Sequence, residues 1–229
     1  MEKEIKPNIQ DFSTVDTNLQ KLMEDLKLKT KSSAFYFYVL DLLFNLQEDQ
    51  IKECITDTCF LSESKACTGH DSGIDAIYIE QTETKNKIHM FNFKYADSLE
   101  NTKSHFPAGE IDKITGFLNA LMAQDKEYLK NVNPILAGKM EEIWEIFQSE
   151  NPDFVIHICT NKYYAFEKQE EDRFEREMKK YNVDVKFHLM TELVNLLTKM
   201  ERMLKAINRK LAYCADIKSK ATNYTNSRK

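Results

Sequence analysis

The stretch GHDSGIDAIYIE (residues 69–80), followed after a polar gap by MFNFKY (residues 90–95), decides how the rest of the chain is read. IDAIYIE and KIHMFNFKY are short, rich in β-branched and aromatic residues, and separated by QTETKN, a pattern that predicts a β-hairpin. Centring the turn in QTETKN sets Asp75 across from Asn92. Side chains alternate along a strand, so Asn92 and Lys94 project from one face. Opposed residues in a hairpin hold their Cβ atoms roughly 5 Å apart, so Asp75, Asn92 and Lys94 should converge on one patch. A carboxylate, a second oxygen ligand and a lysine so placed suit Mg²⁺-assisted phosphodiester hydrolysis. The hard cation takes oxygen ligands, and the ammonium can orient water or offset developing charge.

Outward from the hairpin, apolar spacing predicts an amphipathic helix over about 13–28, opened by Ser13 or Thr14. A second helix starts near Ser32 or Ser33 and runs through AFYFYVLDLLFNL, apolar on most sides and so expected in the core, aromatic run Phe35 to Tyr38 included. IKECITD is read as a further strand and Thr58 to Ser72 as a loop. After the hairpin, EIDKITGFLNALMAQ and the segment around KMEEIWEIFQSE read as helices, divided by Asn133-Pro134, with Trp144 in the core. FVIHICT and VDVKFHL read as strands, EKQEEDRFEREMKKY as an exposed charged helix between them, and MTELVNLLTKMERMLKAINRKLAYC as a long final helix. This order implies an α/β fold with a mixed central sheet flanked by helices. The expected division is one domain over 1–198, with 199–229 the basic end of the last helix and a polar tail.

The net charge of −5 is no general nucleic-acid footprint. From Lys199 onward, however, nine Lys/Arg face only Glu201 and Asp216, so the last 31 residues carry +7 and the first 198 carry −12. The five cysteines are irregularly spaced and lack the paired CxxC of zinc ribbons, so they read as reduced thiols rather than metal ligands. No apolar run approaches the roughly 20 residues that span a bilayer, and the start lacks a signal-peptide pattern. No membrane association and a cytoplasmic location are the expectations.

At Asp75, Asn92 and Lys94 the sequence resembles the PD-(D/E)XK nuclease superfamily. There an Asp begins one strand, and an acid or Gln, any residue, and Lys lie on the next. More closely, DSGIDAIYIE and FNFKY resemble the N-terminal nuclease-like region of AIPR-type abortive phage infection proteins. ITDT, GEIDKITGFLNAL, FVIHICTN and VDVKFHLMTEL follow in that family's order. The resemblance covers about residues 34 to 197 and implies a restriction-endonuclease-like core. It implies that Asp75 binds Mg²⁺, with Mn²⁺ a substitute, that the Phe93 backbone carbonyl adds a ligand, and that Lys94 serves the attacking water. Asn92 stands where the family has Glu, Asp or Gln, and offers only a neutral amide oxygen on a shorter stem than Glu or Gln. The helix position that supplies an acid in related nucleases falls near Tyr36, with Asp41 a poor substitute. Asp57 and Asp71 match acidic positions of the resembled pattern and are candidates to complete the ligand set. His70 in its Gly-flanked loop is given no role.

Two functions follow from this reading. One is a metal-dependent endonuclease in anti-phage defence, acting on DNA ahead of RNA and serving as effector of a larger system. The other is a catalytically degenerate nuclease fold that binds nucleic acid or a partner through its charged tail. With the family's C-terminal portion missing and no Walker-type Gly-rich loop, a helicase or sensor is the expected partner subunit. The Leu/Met-rich final helix leaves a homo-oligomer open.

Overall fold

The computed structural model describes residues 7–63 and 67–207. Four helices come first: α1 (Ile9–Asp25), α2 (Lys31–Phe44), α3 (Glu48–Cys54) and the single-turn α4 (Thr58–Ser62). The hairpin β1 (Ala76–Gln81) and β2 (Asn86–Lys94) follows, then α5 (Gly109–Met122), α6 (Pro134–Ile146), β3 (Asp153–Thr160), α7 (Lys168–Lys180) and β4 (Val183–His188). A last helix, α8, spans 190–207. Among the described residues no helix is long and apolar enough to cross a membrane.

The protein is α/β, with one four-stranded mixed sheet in the order β1-β2-β3-β4. β1 and β2 pair antiparallel with Ala76 facing Phe91 and Glu80 facing Lys87, the register expected from the turn position. β2, β3 and β4 are parallel. Parallel neighbours need a crossover of a dozen residues or more, and α5, α6 and α7 provide them. These crossovers pack on one face of the sheet, where Ile77, Ile88, Met90, Ile156 and Ile158 meet Ile114, Phe117, Met140, Trp144 and Phe174. On the other face Ala76, Phe91, Phe93 and Cys159 meet the buried Phe35 to Leu40 run of α2, with Val15 and Leu19 of α1 and Leu193 of α8 behind it. Buried on both sides, β2 and β3 read as nearly continuous apolar runs rather than alternating ones.

The structure departs from the sequence reading in the N-terminal third. IKECITD is not a strand: Ile51, Cys54 and Ile55 are buried at helical spacing, and Gln47 and Gln50 form a reciprocal capping box that starts α3. Only Ile55 keeps a strand-like contact, an isolated bridge to Ala76. α1 begins at Ile9, before the expected start, because the Asn8 side chain accepts from Gln10 N–H. Thr30 caps α2 through Ser33 N–H. The loop after Thr58 begins with the short helix α4, capped by Asp57. Of the basic stretch from Lys199, residues up to 207 lie on α8, which exposes Met203, Leu204 and Ile207, and the rest lies outside the described residues.

A polar row crosses the α2 face of the sheet. Glu80 Oε2 lies 3.1 Å from His89 Nε2, His89 Nδ1 lies 2.9 Å from His157 Nε2, and His157 Nδ1 lies 2.8 Å from His188 Nε2. The Glu80 carboxylate can only accept, so the neutral rings all carry their proton on Nε2 and donate toward Glu80. Phe44 of α2 and Phe91 pack over the row. Burial lowers the imidazole of His157 to about 2 and that of His188 to about 4, and lowers His89 as well; His157 is pushed further down by its neighbouring His188 and His89. Unfolded histidine titrates near ~6.5, so below that pH only the unfolded chain takes up these protons. The stability that the row lends is therefore full above pH ~6.5 and falls as pH drops below it. Urea unfolding at pH 7 and pH 5 should show a loss of about 1–2 kcal/mol attributable to His157. His157→Leu should remove that part of the difference, and an unchanged difference would contradict the neutral row.

Candidate metal centre

Asp75 precedes β1 directly and holds two distant segments together. Its N–H donates to the Phe91 carbonyl at 2.8 Å, its carbonyl accepts from Thr56 N–H at 2.9 Å and Asp57 N–H at 3.1 Å, and its Oδ2 accepts from Phe93 N–H at 2.5 Å. The Thr56 hydroxyl adds a 2.5 Å bond to the Ile74 carbonyl. These bonds draw the α3–α4 connection onto the hairpin and bring Asp57 with it. Asp57 uses Oδ1 to accept from Phe60 N–H at 2.6 Å, and Asp71 uses Oδ1 to accept from Gly73 N–H at 3.0 Å. Each carboxylate is thus anchored through one oxygen on a backbone donor. A ligand atom from each of Asp57, Asp71 and Asp75 lies within 4.8 Å of the other two. Asp57 and Asp75 are buried and Asp71 is half-buried.

Three carboxylates this close repel one another, and burial removes the water that would screen them. Burial pushes the Asp75 carboxyl up to about 8; Lys94 and the Phe93 N–H pull it down, and Asp71 and Asp57 push it further up. Burial raises Asp57 too, opposed by the Phe60 N–H and by Lys94. The Tyr36 phenol is raised by burial and then by the same three aspartates, which sets it beside the cluster. Oxygen donors of this number and charge fit a hard divalent cation, which would take the place of protons and relieve the repulsion.

Beside the triad, Asn92 is wholly buried. Its Nδ2 donates to the Gly73 carbonyl at 2.7 Å and to Glu110 Oε2 at 3.0 Å, while its Oδ1 has no hydrogen-bond partner. Glu110 Oε2 also lies 3.4 Å from Lys94 Nζ, and Glu110 Oε1 accepts from Lys113 Nζ at 2.9 Å. Burial alone would raise the Glu110 carboxyl, but the Lys113 and Asn92 hydrogen bonds and the Lys94 charge outweigh it and hold it below its ordinary value.

Of the expected residues, Asp57, Asp71 and Asp75 form the cluster itself and Lys94 acts electrostatically on two of them. Neither Asp57 nor Asp71 sits at a strand end: one caps α4 and the other opens the turn before β1. The paired register ends at Ala76 with Phe91, and Asp75 bonds to Phe91 and Phe93 on either side of Asn92, whose amide nitrogen is turned to Glu110. The Phe91 carbonyl and Phe93 N–H both face Asp75, so the odd-numbered peptide groups of β2, the Phe93 carbonyl among them, are directed toward β1. His70 is exposed and bridged to Val132, and Asp41 is exposed on α2. Glu110 was missed, although its signal was present: a Glu in the first turn of a predicted helix, beside the apolar Ile111, within a segment already quoted as GEIDK. No family model matches the chain, and no curated protein matches it.

Asp75 binds a proton in the folded chain well above the range where an unfolded aspartate does, so the stability it lends is full below pH ~4 and lost as pH rises toward 8. Asp75→Asn keeps an acceptor for Phe93 N–H without the charge. In the absence of divalent cations it should be more stable than the native chain by about 1–2 kcal/mol at pH 7. Thermal melts with and without Mg²⁺ should show a rise in the native chain and none in Asp75→Asn. A native chain indifferent to both Mg²⁺ and Mn²⁺ would contradict a metal centre here.

Proposed function

We propose that the chain is a metal-dependent endonuclease with a restriction-endonuclease-like core of the PD-(D/E)XK type. The observation that carries this reading is the convergence of Asp57, Asp71 and Asp75 on one spot beside the half-exposed Lys94, at the end of a buried hairpin. Such a set fits Mg²⁺, with Mn²⁺ as substitute, held by the three aspartates with Asn92 Oδ1 and the Phe93 carbonyl as the remaining protein oxygens. A bound cation of this kind supplies Lewis acidity toward the phosphate and lowers the pKa of water.

The residues themselves divide the work. The three aspartates fix where a cation, and through it a phosphodiester oxygen, would sit. Lys94 directs its ammonium to the same place, where it can orient the attacking water and offset the charge that grows on the phosphoryl oxygens. Hydrolysis then joins the water oxygen to phosphorus and releases the sugar oxygen with a proton. DNA ahead of RNA, a role as effector in anti-phage defence, and a helicase or sensor subunit as partner belong to this reading through the resemblance in DSGIDAIYIE and FNFKY.

The alternative, a degenerate nuclease fold that only binds, draws on the neutral Asn92 at a position where the family pattern carries an acid or Gln. Cleavage of plasmid and single-stranded DNA with Mg²⁺ or Mn²⁺ separates the two. The native chain should cut, and Lys94→Ala should lower the rate by about 10²-fold or more. Nucleic-acid binding that is unchanged in Lys94→Ala, with no cleavage in either metal, would overturn the nuclease reading in favour of the binding module.

A further inference from the structure

We infer that Glu110 is a positioning residue for the metal centre, acting through Asn92: it fixes the amide so that Oδ1 is left as an oxygen ligand. This rests on the metal-centre reading above and explains how a neutral residue can serve at position 92.

An amide can be held in either of two orientations that differ by exchange of its oxygen and nitrogen. Here both neighbours are acceptors, the Gly73 carbonyl at 2.7 Å and Glu110 Oε2 at 3.0 Å, so only Nδ2 can face them. Oδ1 must then lie on the other side, and it is a buried acceptor with no partner. A buried carbonyl without a donor costs about 1–3 kcal/mol, and a cation is a partner that would recover that cost. Asn92 shares its strand face with Lys94, which acts on Asp75 and Asp57, and it is bonded to Gly73 in the turn between Asp71 and Asp75, so its side chain lies against the segment that carries the carboxylates.

Glu110 suits this role because its charge is already committed. It is 6% exposed, it sits in the first turn of α5 where an anion is favoured, and it is paired with Lys113 and Lys94. Exchange of the Asn92 amide would set Oδ1 against the Glu110 carboxylate and the Gly73 carbonyl together, which is repulsive on both sides. Gly73 completes the arrangement. Its φ of +73° admits glycine readily, and a Cβ there would lie 3.0 Å from Lys113 Cβ and 3.4 Å from both Asn92 Nδ2 and Glu110 Oε2. The negative charge that an acid at position 92 would have carried is therefore present one side chain further away, on α5.

Mn²⁺ titration by calorimetry on the native chain, Asn92→Ala, Glu110→Ala, Glu110→Gln and the Asn92→Ala/Glu110→Ala double variant tests this, with thermal melts confirming that each is folded. Glu110→Ala and Asn92→Ala should each weaken Mn²⁺ binding about 10-fold, the size expected for an outer partner of a ligand. The double variant should be no weaker than Asn92→Ala. Glu110→Gln removes the same charge as Glu110→Ala but keeps an acceptor for Asn92 Nδ2, so it should recover part of the loss. In the native chain, the Asn92 side-chain amide resonance should shift when Mg²⁺ is added, a readout that needs no variant. Native-like Mn²⁺ affinity in Asn92→Ala, additive losses in the double variant, or equal losses in Glu110→Ala and Glu110→Gln would overturn the inference. Mn²⁺ binding with the expected pattern but no cleavage of nucleic acid would sink the nuclease reading alone, and a native chain that binds no Mn²⁺ would sink both.

Discussion

The hydrogen bonds around Asp75 are the constraint on which the rest of the site depends. One residue accepts from the α3–α4 connection, donates to β2, and accepts again from β2 through its side chain, so its backbone and carboxylate serve the fold and the site at once. The burial that makes these bonds strong also makes the Asp75 charge costly. The fold offsets that cost with large apolar contacts on both faces of the sheet. Phe91 alone, next to Asn92 on β2, packs against Phe44, Phe93 and His157, and truncation of such a phenylalanine typically costs ~3–5 kcal/mol. The cost of the buried charge is local, whereas the packing that offsets it spans the sheet.

Much of this was legible in the sequence where period and chemistry agreed. The hairpin register followed from the position of QTETKN between two β-rich runs, and it brought Asp75 beside the Phe91 to Phe93 stretch of β2. The crossover helices and both parallel strands followed from periodicity in the same way. IKECITD misled because three β-branched residues in a short segment look like a strand; the burial of Ile51, Cys54 and Ile55 on one side of a helix, and the Gln47–Gln50 cap, depend on packing against α2 and β1. Asp57 and Asp71 were visible as acids, but no local rule says that a helix cap and a turn residue will meet. Glu110 was hidden for the opposite reason, since acids in a helix's first turn are ordinary, and only the buried Asn92 amide gives this one a particular task.

Tyr36 shows how position and chemistry can separate. It occupies the place on α2 where the resemblance expects an acid, and it does stand beside the three aspartates. A phenol held neutral there adds no charge to an already repulsive cluster. The negative charge of the site is carried instead by the α4 cap, the turn before β1 and α5, so the buried Phe35 to Leu40 run of α2 carries no charge.

The imidazole row from Glu80 to His188 bears on how the sheet finds its alignment. Apart from His157, β3 is apolar on both faces from Phe154 to Cys159, and a slip of two residues against β2 would keep its apolar side chains buried at little hydrophobic cost. The directional N–H to N contacts do not survive such a slip, and the buried His157 ring would lose its partner on the neighbouring strand. The row therefore discriminates between alignments that greasy contacts treat as equals, and gives the parallel half of the sheet a proofreading step built from hydrogen bonds.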